Sequence, residues 1–167
     1  GNKMNYISAR FSHELIEDLQ PNNHYTLQNP EPRIMRWQCA IELIKKRPII
    51  GYGTGDEIPR LEELYLKKDM KVSLAEEFNV HNAYLSMLLK NGIVGLIIFM
   101  AMFVFFFKAA IQNHDFLYLS FLLLLVIGFI TENILDANKG IFFFAFFNTL
   151  LGYFALNKIK NQNLKIK

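Results

Sequence analysis

Hydrophobic and polar positions follow two different rules along this chain. Up to about residue 91, apolar residues recur at helical spacing among charges, whereas beyond it three apolar runs, 93–107, 116–130 and 141–156, follow one another with charges only between them. A water-soluble bundle would show polar stripes at helical spacing, and 99–107 offers none. Each run is about 15 residues, shorter than the roughly 20 that a bilayer core prefers, but Met87, Leu89 and Leu135 extend them and Lys108 can snorkel from a helix end. The pattern predicts an all-α integral membrane protein: an α-rich polar region over 1–91, then transmembrane helices at about 92–108, 116–131 and 140–156 with a basic tail.

Composition reinforces this division. Of the 16 phenylalanines, 14 lie between Phe99 and Phe154, a concentration that a bilayer hides more readily than a soluble core. Lys108 and the tail lysines Lys158, Lys160, Lys165 and Lys167 belong to the cytoplasm by the positive-inside rule. The turn with Thr131, Glu132, Asp136 and Lys139 is then extracytoplasmic, as is 1–91, because long loops translocate largely regardless of charge. The net charge of +3 and the lack of a basic, aromatic-interleaved stripe exclude nucleic acid as a partner. One cysteine, Cys39, excludes an internal disulfide or a CxxC motif and reads as a small apolar residue on a helix face. No signal peptide is recognisable at the start, and Gly1 opening in a polar stretch leads us to expect a piece of a longer protein.

Ahead of the membrane, 5–19 predicts a helix with Ile7, Phe11, Leu15 and Ile16 on one side and Pro21 ending it. His13 and Glu17 read there as a solvated pair, since no HExxH pattern accompanies them, and His24 falls in an Asn- and Pro-rich linker. A second helix is expected over 33–47, with Trp37, Ala40, Ile41 and Ile44 on one face, Pro32 at its start and Pro48 stopping it. Arg33, four residues before Trp37, projects from the same face and could clamp a phosphate. The loop 48–56 carries Gly51, Gly53 and Gly55. It reads either as a plain tight turn or as a loop whose N–H groups approach an anion, and it is neither a P-loop nor a dinucleotide fingerprint. A short charged helix over 60–69 packs Leu61, Leu64 and Tyr65.

Chemistry concentrates in 78–95. Asn79 or His81 is expected to open a helix that Asn91 and Gly92 stop, and His81 shares a stripe with Leu85 and Leu88. The imidazole there is either a satisfied core residue or a proton acceptor.

His81, Asn82, Gly92 and Gly95 match in every spacing a motif of the O-antigen ligase-like membrane family: His, then Asn, Ser or Gln, nine residues, Gly, two residues, and Gly, Thr or Tyr. Arg33 and Trp37, followed by Pro48, Gly51, Gly53 and Gly55, reproduce a second family pattern in order. The resemblance runs from about Arg33 into the last span, where 131–135 looks like the family's acidic segment, with Glu132 as its carboxylate. It implies the C-terminal part of a GT-C-like polytopic fold with a large extracytoplasmic loop. The implied activity is transfer of a glycan from an undecaprenyl pyrophosphate carrier to an acceptor, lipid A core for a ligase, at the outer face of the bacterial inner membrane, with no metal or other cofactor. By the same resemblance His81 accepts the acceptor hydroxyl's proton and Arg33 stabilises the leaving diphosphate. Asn82, Trp37, Gly53, Gly55 and Glu132 line the substrate, while Pro48, Gly51, Gly92 and Gly95 shape the motif. A further family arginine lies in a part not contained here, so this stretch alone is expected to be inactive. Polymerases and protein O-oligosaccharyltransferases share these motifs. A non-enzymatic transporter or assembly subunit is the alternative from another class, against which stands the absence of charged residues within the spans.

Overall fold

The computed structural model describes Tyr25, Thr26 and residues 30–165, with side chains as far as Ala155. The expected helix over 5–19, with His13 and Glu17, and the linker His24 fall outside the described residues. The elements are α1 (Arg33–Lys46), α2 (Glu57–Lys67), α3 (Lys71–Ala75), α4 (Ala83–Gln112), α5 (Phe116–Thr131), a 3-10 turn (Ile134–Asp136) and α6 (Asn138–Lys165), with no strand among the described residues.

A first core gathers Cys39, Ala40 and Leu43 of α1, Leu61, Leu64 and Tyr65 of α2, and Met70, Val80 and Leu89. Pro32 preorganises the start of α1, where its missing N–H costs nothing, and Pro48 follows its end. The buried face of α1 is Arg36, Cys39, Ala40 and Leu43, whereas Ile41, expected inside, is 43 % exposed. Polar partners turn the helix: Arg36 donates to the Glu31 carbonyl at 3.1 Å and its guanidinium lies 4.9 Å from the centre of the Phe78 ring. Hydrophobic periodicity does not count such attractions. Burial also pushes the Cys39 thiol up from its ordinary value, which keeps it protonated and inert.

Helix α2 packs the expected Leu61, Leu64 and Tyr65 but begins at Glu57, earlier than the charge pattern suggests. The short α3 was not foreseen, and it is built by a distant residue. The buried carboxylate of Glu31 accepts from Val72 N (2.9 Å), Ser73 N (2.8 Å) and Ser73 Oγ (2.9 Å), satisfying orphan donors of the first turn.

The longest helix is interrupted. At Gly92 the backbone adopts φ 63°, ψ −165°, a conformation open essentially to glycine alone, so the expected stop is a break within α4. The 48–53 loop fits into this break. Tyr52 N and Gly53 N donate to the carbonyls of Leu89 (2.9 Å) and Lys90 (2.8 Å), and Ile93 N and Val94 N donate to those of Pro48 (2.8 Å) and Ile49 (3.3 Å). Four backbone groups that the interruption would orphan are thereby paired. The approach is so close that a Cβ on Gly92 would overlap the Ile49 carbonyl, and one on Gly51 would come within 2.6 Å of the Leu89 oxygen.

A second core joins α4, α5 and α6 through Phe99, Phe103, Tyr118, Leu122, Leu125, Phe129 and Ala155. Edge-to-face contacts dominate it, Phe103 with Phe129 at 5.7 Å and Tyr84 with Phe129 at 6.3 Å, each such pair contributing about 1 kcal/mol. Tyr118 Oη donates to Asn148 Oδ1 at 2.9 Å, cross-linking α5 to α6 inside this apolar layer. Around that core the helices expose Ile97, Ile98, Leu124, Ile127, Phe142 and Phe146, an apolar exterior that soluble monomers rarely present. Among the described residues, α4 is the one helix both long and apolar enough to cross a membrane, while α5 is apolar but shorter, at 16 residues.

Gly92→Ala should destabilise the protein by ~3 kcal/mol or more, because it combines backbone strain with a clash against backbone. Gly55→Ala, with nothing near its Cβ position, should change stability by about 0.5 kcal/mol at most. Thermal unfolding of the two variants in detergent checks the contrast, and equal midpoints would contradict it.

Candidate active site

The site is assembled where α4 begins and α5 ends. Asn82 starts α4: its Oδ1 accepts from Tyr84 N and Leu85 N, both at 3.0 Å. Its Nδ2 donates to the Ile130 carbonyl at 3.1 Å, so one side chain caps one helix and grips the last turn of another. His81 therefore precedes the helix and does not continue the Leu85 and Leu88 stripe, because Asn82 supplies the capping oxygen and neither Asn79 nor His81 does.

His81 sits at φ 47°, in the left-handed region that costs a non-glycine residue roughly 1 kcal/mol. Its neighbours hold it there. His81 N donates to Asn79 Oδ1 (2.9 Å), Trp37 Nε1 donates to the Val80 carbonyl (2.8 Å), and Tyr65 Oη donates to the Phe78 carbonyl (3.0 Å). The Phe78 ring meets the imidazole edge-on, with centroids 5.9 Å apart. Desolvation raises the Tyr65 phenol far above its usual range, so it stays a neutral donor to that carbonyl.

The imidazole reaches across to the residue after α5. His81 Nδ1 lies 3.0 Å from Glu132 Oε2, and Glu132 Oε1 lies 3.4 Å from Arg33 Nη2. Arg33 Nη1 also donates to the Thr131 carbonyl at 3.0 Å. One carboxylate thus joins the imidazole and the guanidinium, residues 51 and 99 positions away from it in sequence. The side chains are 27 % (His81), 50 % (Glu132) and 44 % (Arg33) exposed. Ion pairs this open to water contribute about 1 kcal/mol at most to stability, so folding alone gives little reason to gather them. Nδ1 faces Glu132, so Nε2 is the ring nitrogen that this carboxylate does not engage.

The other residues singled out in sequence fall nearby but in different settings. Trp37 is half-buried against the first core, its indole N–H engaged with the 78–82 segment. Pro48 and Gly53 take part in the backbone exchange at Gly92, and the Gly51 and Gly53 N–H groups face the carbonyls of Arg47 and Lys90. Gly55 is exposed with open space around it, and Gly95 lies one turn past Asn91, whose side chain a Cβ there would strike. Among the described residues no group of three or more His, Cys, Asp and Glu side chains is arranged to hold a metal ion.

Sequence reasoning missed Asn79 as the support for His81, and it missed a cluster of Glu57, Lys90 and Asp136 at the break in α4. The available signal was positional. Lys90 is the last charge before the apolar run of α4, next to Asn91 and Gly92, where an unpaired ammonium would be costly.

Among the described residues the longest helix is long and apolar enough to cross a bilayer, and the polar cluster of His81, Glu132 and Arg33 lies at its N-terminal end. The family described as O-antigen ligase matches residues 3–100, more than half of the chain, and the chain belongs to that family. No curated protein and no solved structure matches it. The matched region starts well before Arg33, in residues from which no resemblance was read. It ends at residue 100, so it contains Arg33, the glycine loop and His81 but not Glu132.

Asn82→Ala removes a helix cap and the tie to α5 together, and a loss of about 1–2 kcal/mol is expected. Thermal unfolding in detergent should show it, and an unchanged midpoint would mean that the cap is dispensable.

Proposed function

We propose that the chain is the transfer region of an enzyme that moves an oligo- or polysaccharide from an undecaprenyl pyrophosphate carrier to lipid A core, as an O-antigen ligase, at the outer face of the bacterial inner membrane. Membership of the O-antigen ligase family implies ligase- or polymerase-type glycan chemistry and a membrane setting. The observation that carries the finer reading is the Glu132 carboxylate shared by His81 and Arg33. In this reading α4 from Ile93 onward, α5 and α6 are the three spans, and 1–91 with the 131–138 turn are extracytoplasmic.

The chemistry follows from the two partners of Glu132. An acceptor hydroxyl attacks the anomeric carbon of the donor sugar, and the bond from that carbon to the diphosphate oxygen breaks. The hydroxyl proton passes to His81 Nε2, while Glu132, on Nδ1, orients the ring and stabilises the imidazolium that forms. The diphosphate leaves with its added negative charge. Arg33, at the open end of the cluster, offers it the guanidinium N–H groups not engaged with Thr131 and Glu132. Because Glu132 offsets the charge of Arg33, further cations are required for a diphosphate, in keeping with the additional arginine that the family resemblance implies elsewhere. Neither a metal nor a nucleotide sugar enters this scheme.

In cells lacking the native gene, His81→Ala should lower glycan transfer by about 10²-fold or more, and Arg33→Ala by a similar factor, with membrane insertion intact. Carrier-linked long chains should accumulate. Accumulation of single repeat units would point instead to a polymerase, and full transfer by His81→Ala would end the proposal.

A further inference from the structure

A second polar cluster lies at the far end of the first segment of α4. Lys90 Nζ is 2.9 Å from Glu57 Oε2 and 2.6 Å from Asp136 Oδ1. Ser86 Oγ donates to the same Glu57 oxygen at 3.0 Å, and Asn133 Nδ2 donates to Asp136 Oδ2 at 3.0 Å. The carbonyl of Lys90 meanwhile accepts from Gly53 N at 2.8 Å. One residue therefore touches the glycine loop, the first residue of α2 and the turn between α5 and α6.

That turn also carries Glu132, and its two attachments differ in how far they are open to water. At Glu132 it is held by contacts open to water, which water and salt weaken. At Asp136, itself 35 % exposed, it is held by an ammonium only 15 % exposed whose other partner, Glu57, is 3 % exposed, so this contact is shielded on its Lys90 side and is a short charge-assisted hydrogen bond. Between the two points the chain is short and internally braced, with Asp136 N donating to the Asn133 carbonyl at 3.0 Å within the 3-10 turn.

We infer that Lys90 and Asp136 form a latch that positions the 132–136 turn, holding the Glu132 carboxylate against His81 and Arg33. They are positioning residues: no contact joins either of them to His81 or Arg33 among the described interactions, and they act through Glu132. The inference rests on the reading of His81 and Glu132 as transfer machinery. Lys90 is the wrong place to cut first, since its loss would strand the buried Glu57 carboxylate, whose Oε1 already has no partner. Asp136, at the more open end, allows a milder test.

The test uses the complete protein in lipid nanodiscs, comparing Asp136→Asn with Asp136→Glu and His81→Ala. Spin labels at Ala137→Cys and Glu77→Cys, both exposed positions, report the distance between the turn and the body by pulsed electron resonance. Asp136→Asn should broaden that distance distribution and lower kcat for transfer about tenfold with the acceptor KM unchanged, as expected when a group is misplaced and substrate binding is not. Asp136→Glu, which keeps the carboxylate, should restore both readouts to within about twofold of the parent. An unchanged distribution in Asp136→Asn, or a broadened one with kcat intact, overturns the latch. If His81→Ala remains active, the transfer reading fails by itself, and the distance measurement still decides whether Asp136 holds the turn.

Discussion

Where α4 breaks at Gly92, two carbonyls and two N–H groups lose their helical partners at the border of the apolar layer, and the 48–53 loop supplies all four replacements. An unpaired peptide group is expensive anywhere in a protein interior and more so next to lipid, so the loop and the break exist only together. This exchange organises the polar groups next to it. It brings α1 and α2 against the start of the long helix, and it places Lys90 beside Glu57. It also leaves 78–82 spanning the first core, where Tyr65 and Trp37 hold its carbonyls. Gly51 is therefore a requirement of close backbone approach, whereas Gly53 supplies a positive φ with open space at its Cβ position. Their N–H groups at 51 and 53 are aimed at carbonyls and not at solvent.

The site is then a matter of two bodies meeting. The polar body presents His81 in a strained backbone state that Asn79 supports, together with Arg33 from the first turn of α1. The apolar body presents Glu132 at the end of α5. Asn82 belongs to both, capping α4 and gripping Ile130. Strain at His81 is tolerated because its neighbours over-determine it, a pattern that recurs at functional positions.

Much of this could be read from sequence, and what could not has a physical reason. Local features were accessible: the prolines flanking α1, the Leu61, Leu64 and Tyr65 stripe, the left-handed glycine at 92 and the limits of α5. The motif resemblance also singled out His81, Arg33 and Glu132, which the fold brings side by side. What escaped were contacts made across long sequence separation by polar groups. Glu31 reaches Val72 and Ser73 to build α3, and Arg36 turns inward against Phe78 and so rotates the buried face of α1. Lys90 joins Glu57 to Asp136. Hydrophobic periodicity assigns all of these side chains to water, and only the folded chain shows which of them have a partner waiting inside.

The nine residues between Asn82 and Gly92 act as a ruler. The first end of that helical piece is bolted to Ile130 and the second to the loop from Pro48 onward, so neither can drift to absorb a change in length. Adding or deleting one residue would shift the ends by about 1.5 Å and turn them by about 100° about the helix screw, pointing the Lys90 ammonium away from Asp136 while Asn82 stayed put. A motif whose spacing tolerates no insertion is what such a doubly anchored rod imposes, whatever residues fill its interior.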